Sequence, residues 1–283
     1  MEVLPLARFK LGVCQMPITG DKSVNLAQAR EMVLQAADSG CAIAVLPEMF
    51  NCPYSHKYFV RFAETAPDGE TIQTLSNTAR EAGVTIVGGS IPERDGERVY
   101  NTSFIFGPDG ALLGRQRKIH LFDVELETLS FRESDTLSPG EETNPVLTPV
   151  ATIGVAICYD VRFPELIRSL SLKGAQVVVI PAAFNMITGP AHWELLLRAR
   201  AVDNQVYTVG ASPARDPRAT YVYYGHSLVV NPWAEAIAAA DEKPGVIVAD
   251  IDLDFITKVR NELPLLKNRR TDIVSLNIMQ ENY

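Results

Sequence analysis

Short apolar runs recur along the chain, each separated from the next by a stretch of helical periodicity. FKLGVCQ (9–15), AIAVLPE (42–48), VTIVGGSIP (84–92), GVAIC (154–158), QVVVIPA (176–182) and QVYTVGA (205–211) are too short for buried helices. The first alternates as a half-buried strand does. The others are nearly continuously apolar, as strands covered on both faces are. Between them, NLAQAREMVLQAADSG (25–40) places Leu26, Ala29, Val33 and Ala36 on one helical face and stops at Gly40, a residue suited to closing a helix. TIQTLSNTAREAG (71–83) repeats the form. PELIRSLSLKGA (164–175) opens at Pro164, where a helix needs no amide hydrogen. HWELLLRARAVDN (192–204) and LDFITKVRNEL (253–263) complete the helical set.

This alternation predicts an α/β fold. Two hairpins join it, SFIFGPDGALLG (103–114) turning at Pro-Asp-Gly and HSLVVNPWAEAIAAA (226–240) turning at Asn-Pro-Trp. The order strand, helix, strand, helix, strand, hairpin thus occurs twice, at 9–114 and 152–240. It predicts two facing sheets with helices outside, built as a single domain over 1–283. The polar stretch 121–150 is expected to be an inserted loop.

The formal charge of −8 argues against a nucleic-acid partner, which requires a cationic footprint. The local basic run RQRK (115–118) is short. The four cysteines, at 14, 41, 52 and 158, include no CxxC pair and no Cys/His cluster at metal spacing. Reduced thiols in a cytoplasmic protein with no bound metal are the expectation. MEVLPLARFKLGVCQMP lacks the long apolar core of a signal peptide. No apolar run approaches the ~20 residues of a membrane span, so no membrane partner is expected.

Three residues stand out by placement. Glu48 and Cys158 end apolar runs, where the loops of open α/β sheets collect functional groups, and Lys118 follows the first hairpin. Each is ordinary alone: a solvated glutamate, a solvated lysine, a core cysteine. Together they form a complete acyl-transfer set. A cysteine attacks as thiolate and needs a base or a lowered pKa. The helix opening near Pro164 favours an anion at its start. A carboxylate in a dry pocket gains proton affinity and becomes a competent base. A fixed ammonium can stabilise the oxyanion of a tetrahedral intermediate. A Cys–His pair through His120 or His192 has no local signature to support it.

LPEMFNCPY, RKIHLFD, FRESDTLSPG, GVAICYDVRFPEL, FNMITGPAHWELLLRARAVDNQVY, ASPARD and YGHSLVVNPW follow one another in this order. The chain in these stretches, from about residue 9 to 275, resembles the nitrilase or carbon–nitrogen hydrolase superfamily, and more narrowly its Nit branch, the omega-amidases. The resemblance implies a four-layer α-β-β-α sandwich of two facing mixed sheets with outer helices. It implies Glu48 as general base, Lys118 as oxyanion stabiliser and Cys158 as nucleophile, with Glu133 positioning Lys118 and the substrate amide. The backbone amide of Tyr159 is the second oxyanion donor. No cofactor is implied, and a homodimer is.

Omega-amidases act on dicarboxylate monoamides such as α-ketoglutaramate and α-ketosuccinamate, so a cation must meet the free carboxylate. Arg162 either binds it bidentately or pairs with Asp160 or a loop carboxylate. Tyr54, His120, Phe184 and Thr188 line the pocket by the same resemblance, or serve as packing. The alternatives are a related hydrolase acting on deaminated glutathione or an N-carbamoyl amino acid, and a non-catalytic interaction protein on the same fold.

Overall fold

The computed structural model describes residues 7–127 and 129–276. Among these, the first half contains β1 (Arg8–Gln15), α1 (Lys22–Asp38), β2 (Cys41–Val45), α2 (His56–Arg61), α3 (Glu70–Ala82), β3 (Thr85–Val87), β4 (Ile91–Asp95), β5 (Arg98–Phe106) and β6 (Leu112–Arg117). A small hairpin follows, β7 (Asp123–Leu126) and β8 (Leu129–Arg132), then β9 (Val146–Leu147). The second half contains β10 (Thr152–Val155), α4 (Pro164–Leu172), β11 (Val177–Pro181), α5 (Gly189–Asn204), β12 (Tyr207–Ala211), β13 (Leu228–Val230) and β14 (Ala236–Ala239). β15 (Gly245–Asp252) and α6 (Leu253–Glu262) come last.

One sheet runs β15-β1-β2-β3-β5-β4, with β6 on β5; the other runs β14-β13-β12-β11-β10-β9. In each, three parallel strands lead into antiparallel ones: β1, β2 and β3 in the first, β10, β11 and β12 in the second. An antiparallel edge strand covers the first of each trio, β15 on β1 and β9 on β10.

Alternation along the strands separates the layers. Leu11, Val13, Ile43, Val45, Val87 and Ile105 join Ile153, Val155, Val177 and Val179 in one core between the sheets. Their neighbours Cys14, Ala44, Ile86, Phe104 and Phe106 face the other way and pack with Ala29, Val33 and Ala36 of α1 and Ile72, Leu75 and Ala79 of α3. On the second sheet, Gly154 faces Leu170 of α4, and Gly210 lies against Trp193 and Leu197 of α5. The result is four layers, helix, sheet, sheet, helix, as the sequence predicts.

The structure corrects several boundaries. The run 84–92 is two strands interrupted at Gly88-Gly89-Ser90, not one. The strands of 42–48 and 154–158 stop at Val45 and Val155, so Glu48 and Cys158 stand three residues beyond strand ends. α5 begins at Gly189, with a proline in its first turn, rather than at His192. The stretch 121–150 is not a plain loop: it carries the β7–β8 hairpin, a short 3-10 turn at Glu133–Asp135, and β9. β15 is a strand that hydrophobic runs alone miss, because much of it is exposed at the sheet edge.

Candidate active site

Glu48 sits in a turn that the break between β3 and β4 holds in place. Met49 N–H donates to Ser90 Oγ at 3.1 Å, Phe50 N–H to the Ser90 carbonyl at 3.2 Å, and Ser90 N–H to the Pro47 carbonyl at 3.3 Å. Gly89 has φ +47, and a Cβ there would lie 2.0 Å from the Pro47 carbonyl oxygen. Glycine is required both for that backbone and for the close approach. Met49, next to Glu48, also has positive φ, at 51.

Lys118 follows β6 directly, and Asn101 of β5 joins it to Glu48. The Lys118 backbone N–H donates to the Asn101 carbonyl at 2.8 Å, while Asn101 Nδ2 donates to Glu48 Oε1 at 2.8 Å. Lys118 Nζ lies 2.9 Å from Glu48 Oε1 and 2.9 Å from Glu133 Oε2. All three side chains are fully buried. Glu133 is held from two further sides, by the Tyr54 hydroxyl on Oε1 and the Phe122 N–H on Oε2, both at 2.6 Å. Two carboxylates around one ammonium, with these added donors, form a buried network of the sort that is costly to break from one side. Glu48 Oε2 is buried and has no hydrogen-bond partner among the described residues. It is the oxygen left to take a proton.

Cys158 opens a 3-10 turn, Cys158–Arg162, with φ +51. That is a sparsely populated conformation for a residue with a side chain. Asp160 secures the turn on both sides of the site. Its Oδ2 accepts the Ile157 N–H at 3.0 Å, and its Oδ1 lies 2.8 Å from both the His120 N–H and His120 Nδ1. The nucleophile turn is thereby tied to the segment carrying Lys118. Arg200, reaching from α5, donates to the Val161 carbonyl at 2.8 Å. The Ala183 backbone N–H, just past β11, is turned toward the cysteine sulfur.

The electrostatics follow from burial. Burial pushes the Glu48 carboxyl up, the Lys118 ammonium pulls it back, and the Glu133 charge adds to the rise. Burial alone would lower the Lys118 ammonium, but Glu133 and Glu48 beside it hold it above the usual lysine range. Burial raises the Cys158 thiol well above its usual value and Glu48 adds to this, against the opposing pull of Lys118 and the Ala183 N–H. Desolvation thus works against the thiolate, which a helix start, Lys118 and the Ala183 N–H favour.

Around the thiol lies a narrow pocket lined by Tyr54, Phe122, Tyr159, Arg162, Ala183, Phe184, Asn185, Thr188 and Tyr221. Of the residues expected there, Tyr54, Arg162, Phe184 and Thr188 are on the wall, and Tyr159 lines it directly after the nucleophile. His120 is not. Its ring is taken by Asp160 and stacks on Phe163 at 3.6 Å between centroids. It is a strut between segments and not a pocket residue. Arg162 does not pair with Asp160, whose oxygens are already occupied. Its guanidinium lies 5.0 Å from the centre of the Phe184 ring and 3.1 Å from His192 Nδ1, and no carboxylate among the described residues pairs with it. Asn101, Asp160, Asn185, Arg200 and Tyr221 escape a sequence-level search. Their common signal, a polar residue inside or beside an apolar run, becomes visible only once burial is known. Among the described residues, no group of three or more His, Cys, Asp or Glu side chains is arranged to hold a metal ion. No helix among them is long and apolar enough to cross a membrane.

Comparison with known proteins agrees with this geometry. Residues 10–261 match the carbon-nitrogen hydrolase family. An omega-amidase NIT2 from Danio rerio is 51% identical over 277 residues, covering 98% of this chain and 100% of the relative. The omega-amidase NIT2 of Homo sapiens is 47% identical over 272 residues, covering 96% and 98%. The crystal structure of Saccharomyces cerevisiae Nit3, a member of branch 10 of the nitrilase superfamily, superposes with a TM-score of 0.86 at 42% identity, covering 93% of this chain and 97% of that one. The C. elegans NitFhit protein superposes at 0.92 with 33% identity, over 99% of this chain and 69% of its own. The twofold strand order, the four layers and near-full-length identity to these relatives lead to one assignment: the chain belongs to the carbon–nitrogen hydrolase family, in the Nit branch of the nitrilase superfamily.

Proposed function

We propose that this protein is an amidase that hydrolyses the terminal amide of small dicarboxylate monoamides, α-ketoglutaramate and α-ketosuccinamate, releasing ammonia. The observation that carries the reading is the buried Glu48–Lys118–Glu133 network set against Cys158, in a pocket whose wall holds an arginine free of any carboxylate among the described residues. The identity to omega-amidases supports the same substrate class.

In this mechanism Glu48 takes the Cys158 proton as the sulfur attacks the amide carbon. A C–S bond forms and the carbonyl electron pair moves to oxygen, where Lys118 and the Tyr159 N–H receive the charge. A buried thiol whose ionisation desolvation opposes suits this order, since proton transfer then accompanies attack. Collapse breaks the C–N bond, and Glu48 returns its proton to the departing ammonia. A water molecule then gives a proton to Glu48 and attacks the thioester. The C–S bond breaks, and the proton returns to sulfur. Glu133, saturated by Lys118, Tyr54 and Phe122, keeps the ammonium in place. Arg162 offers the substrate carboxylate a planar pair of donors. The chain acts as one domain, in the cytoplasm, as a homodimer, a state that sedimentation at micromolar concentration tests.

The deciding experiment measures ammonia from α-ketoglutaramate with the intact chain and with Cys158→Ala. The intact chain should release it, and the variant should be folded and silent. Ammonia from the variant, or none from the intact chain at millimolar substrate, would overturn the reading.

A further inference from the structure

Asn185 lies beside β11 on the pocket wall, and its side chain is only half used. Its Oδ1 accepts the backbone N–H of Ile187 at 3.0 Å, the N–H of Thr188 at 2.9 Å and the Thr188 hydroxyl at 3.2 Å. Two backbone donors cannot face an NH2 group, so these bonds settle which end of the amide is which. Nδ2 is then the donor end of a residue that lines the pocket. It is buried, it has no hydrogen-bond partner among the described residues, and the residue as a whole is 7% exposed. An amide donor left unpaired in a buried position is destabilising unless something supplies an acceptor. The neighbouring Tyr221 hydroxyl donates to the Ala183 carbonyl at 2.7 Å and, beside the Asn185 amide, takes at most one of the two Nδ2 hydrogens, leaving the other without an acceptor. Arg162 stands on the same wall, stacked on Phe184, the residue before Asn185.

We infer that Asn185 is a specificity-determining residue whose free amide hydrogen binds the oxygen-rich end of the substrate, the carboxylate that Arg162 neutralises. Arg162 supplies charge and Asn185 a directed neutral donor, so an acid-terminated amide satisfies both while a plain alkyl amide leaves Nδ2 unpaired. A site built around such a donor discriminates strongly against ligands that cannot accept from it. The inference rests on the amidase reading and extends it to the far end of the substrate.

Asn185→Asp tests it. Aspartate keeps an acceptor for the N–H groups of residues 187 and 188, so the loop is retained, but it presents a negative oxygen where Nδ2 was. The readout is the ratio of kcat/KM for an α-keto acid monoamide to that for a neutral primary amide of the same length. The ratio should fall more than about 100-fold in Asn185→Asp, through KM for the acid. It should fall about 10- to 100-fold in Asn185→Ser, which keeps a turn acceptor and removes the amide donor. Thermal unfolding of both variants reports the loop, and the serine variant carries the test if the aspartate one does not fold. An unchanged ratio in a folded variant overturns the inference, as does an intact chain that prefers the neutral amide. Absence of ammonia from every amide with the intact chain instead removes the amidase reading, and the inference with it.

Discussion

The two sides of the pocket differ in how completely their polar groups are used. On the side built by the first half and the β7–β8 insertion, Lys118, Glu133 and Asn101 Nδ2 are tied together through Glu48 Oε1 at 2.6–3.0 Å, and the acceptors left open are Glu48 Oε2 and Asn101 Oδ1. On the side built by the second half, Arg162 meets only aromatic rings and a histidine nitrogen among the described residues, and Asn185 Nδ2 keeps a hydrogen without an acceptor. The first side is a buried charge network in which Glu48 Oε2 is the open carboxylate oxygen. The second holds unmatched donors that only a ligand of the right chemistry can satisfy. Chemistry common to many amides resides in the first, and the choice among amides in the second.

Substitutions can separate the two. Glu48→Gln removes the proton acceptor and should lower kcat for every amide by about 10^3-fold or more, whatever its far end carries. A loss confined to acid-terminated substrates would break the division. Arg162→Ala should act in the opposite sense, lowering the acid-to-neutral selectivity ratio about 10- to 100-fold through KM, the range for a lost charge-assisted hydrogen bond. Equal losses on both substrates would place Arg162 with the charge network. Tyr54→Phe deletes one of the donors on Glu133 and should lower kcat about tenfold on acid and neutral amides alike, as a steady-state comparison would show.

The smallest effect concerns a thiol outside both sides. Cys14 is fully buried, and burial first and Cys41 second push it from 9.0 up to about 12. The unfolded chain loses this proton near pH 9 while the folded chain keeps it, so the unfolded state binds fewer protons and stability falls as pH rises from 9 toward 12. Cys14→Ala should flatten the slope of urea-derived stability against pH in that window by up to about 1.4 kcal/mol per pH unit. An unaltered slope would show that Cys14 titrates alike in both states.

The layered fold is legible from the sequence because parallel strands covered on both faces read as apolar runs, and the helices between them carry a clear stripe. β15 is missed although Val246, Ile247 and Val248 are apolar, and only its Ala249 and Ile251 are fully buried. Glu48 and Cys158 end apolar runs and Lys118 follows the first hairpin, and the three are legible only as a set, since each is ordinary alone. His120 is misplaced because the direction of a side chain depends on partners distant in sequence, here Asp160, 40 residues on. Asn185 is illegible for a related reason. Its chemical meaning lies in a missing partner, and sequence does not show which polar atoms have been satisfied.

The pairing of β1 with β15 has a consequence for how the molecule is made. Eight residues of the first strand match eight near the end, from Arg8 against Asp252 to Gln15 against Gly245, and the Leu253 N–H closes onto the Ala7 carbonyl. During synthesis, the outer edge of β1 stays uncovered until residue 252 has left the ribosome. Pairing so distant in sequence is slow to form, and an open strand edge invites wrong partners in the meantime. The nascent chain therefore carries a sticky edge until β15, the last strand among the described residues, emerges and seals it.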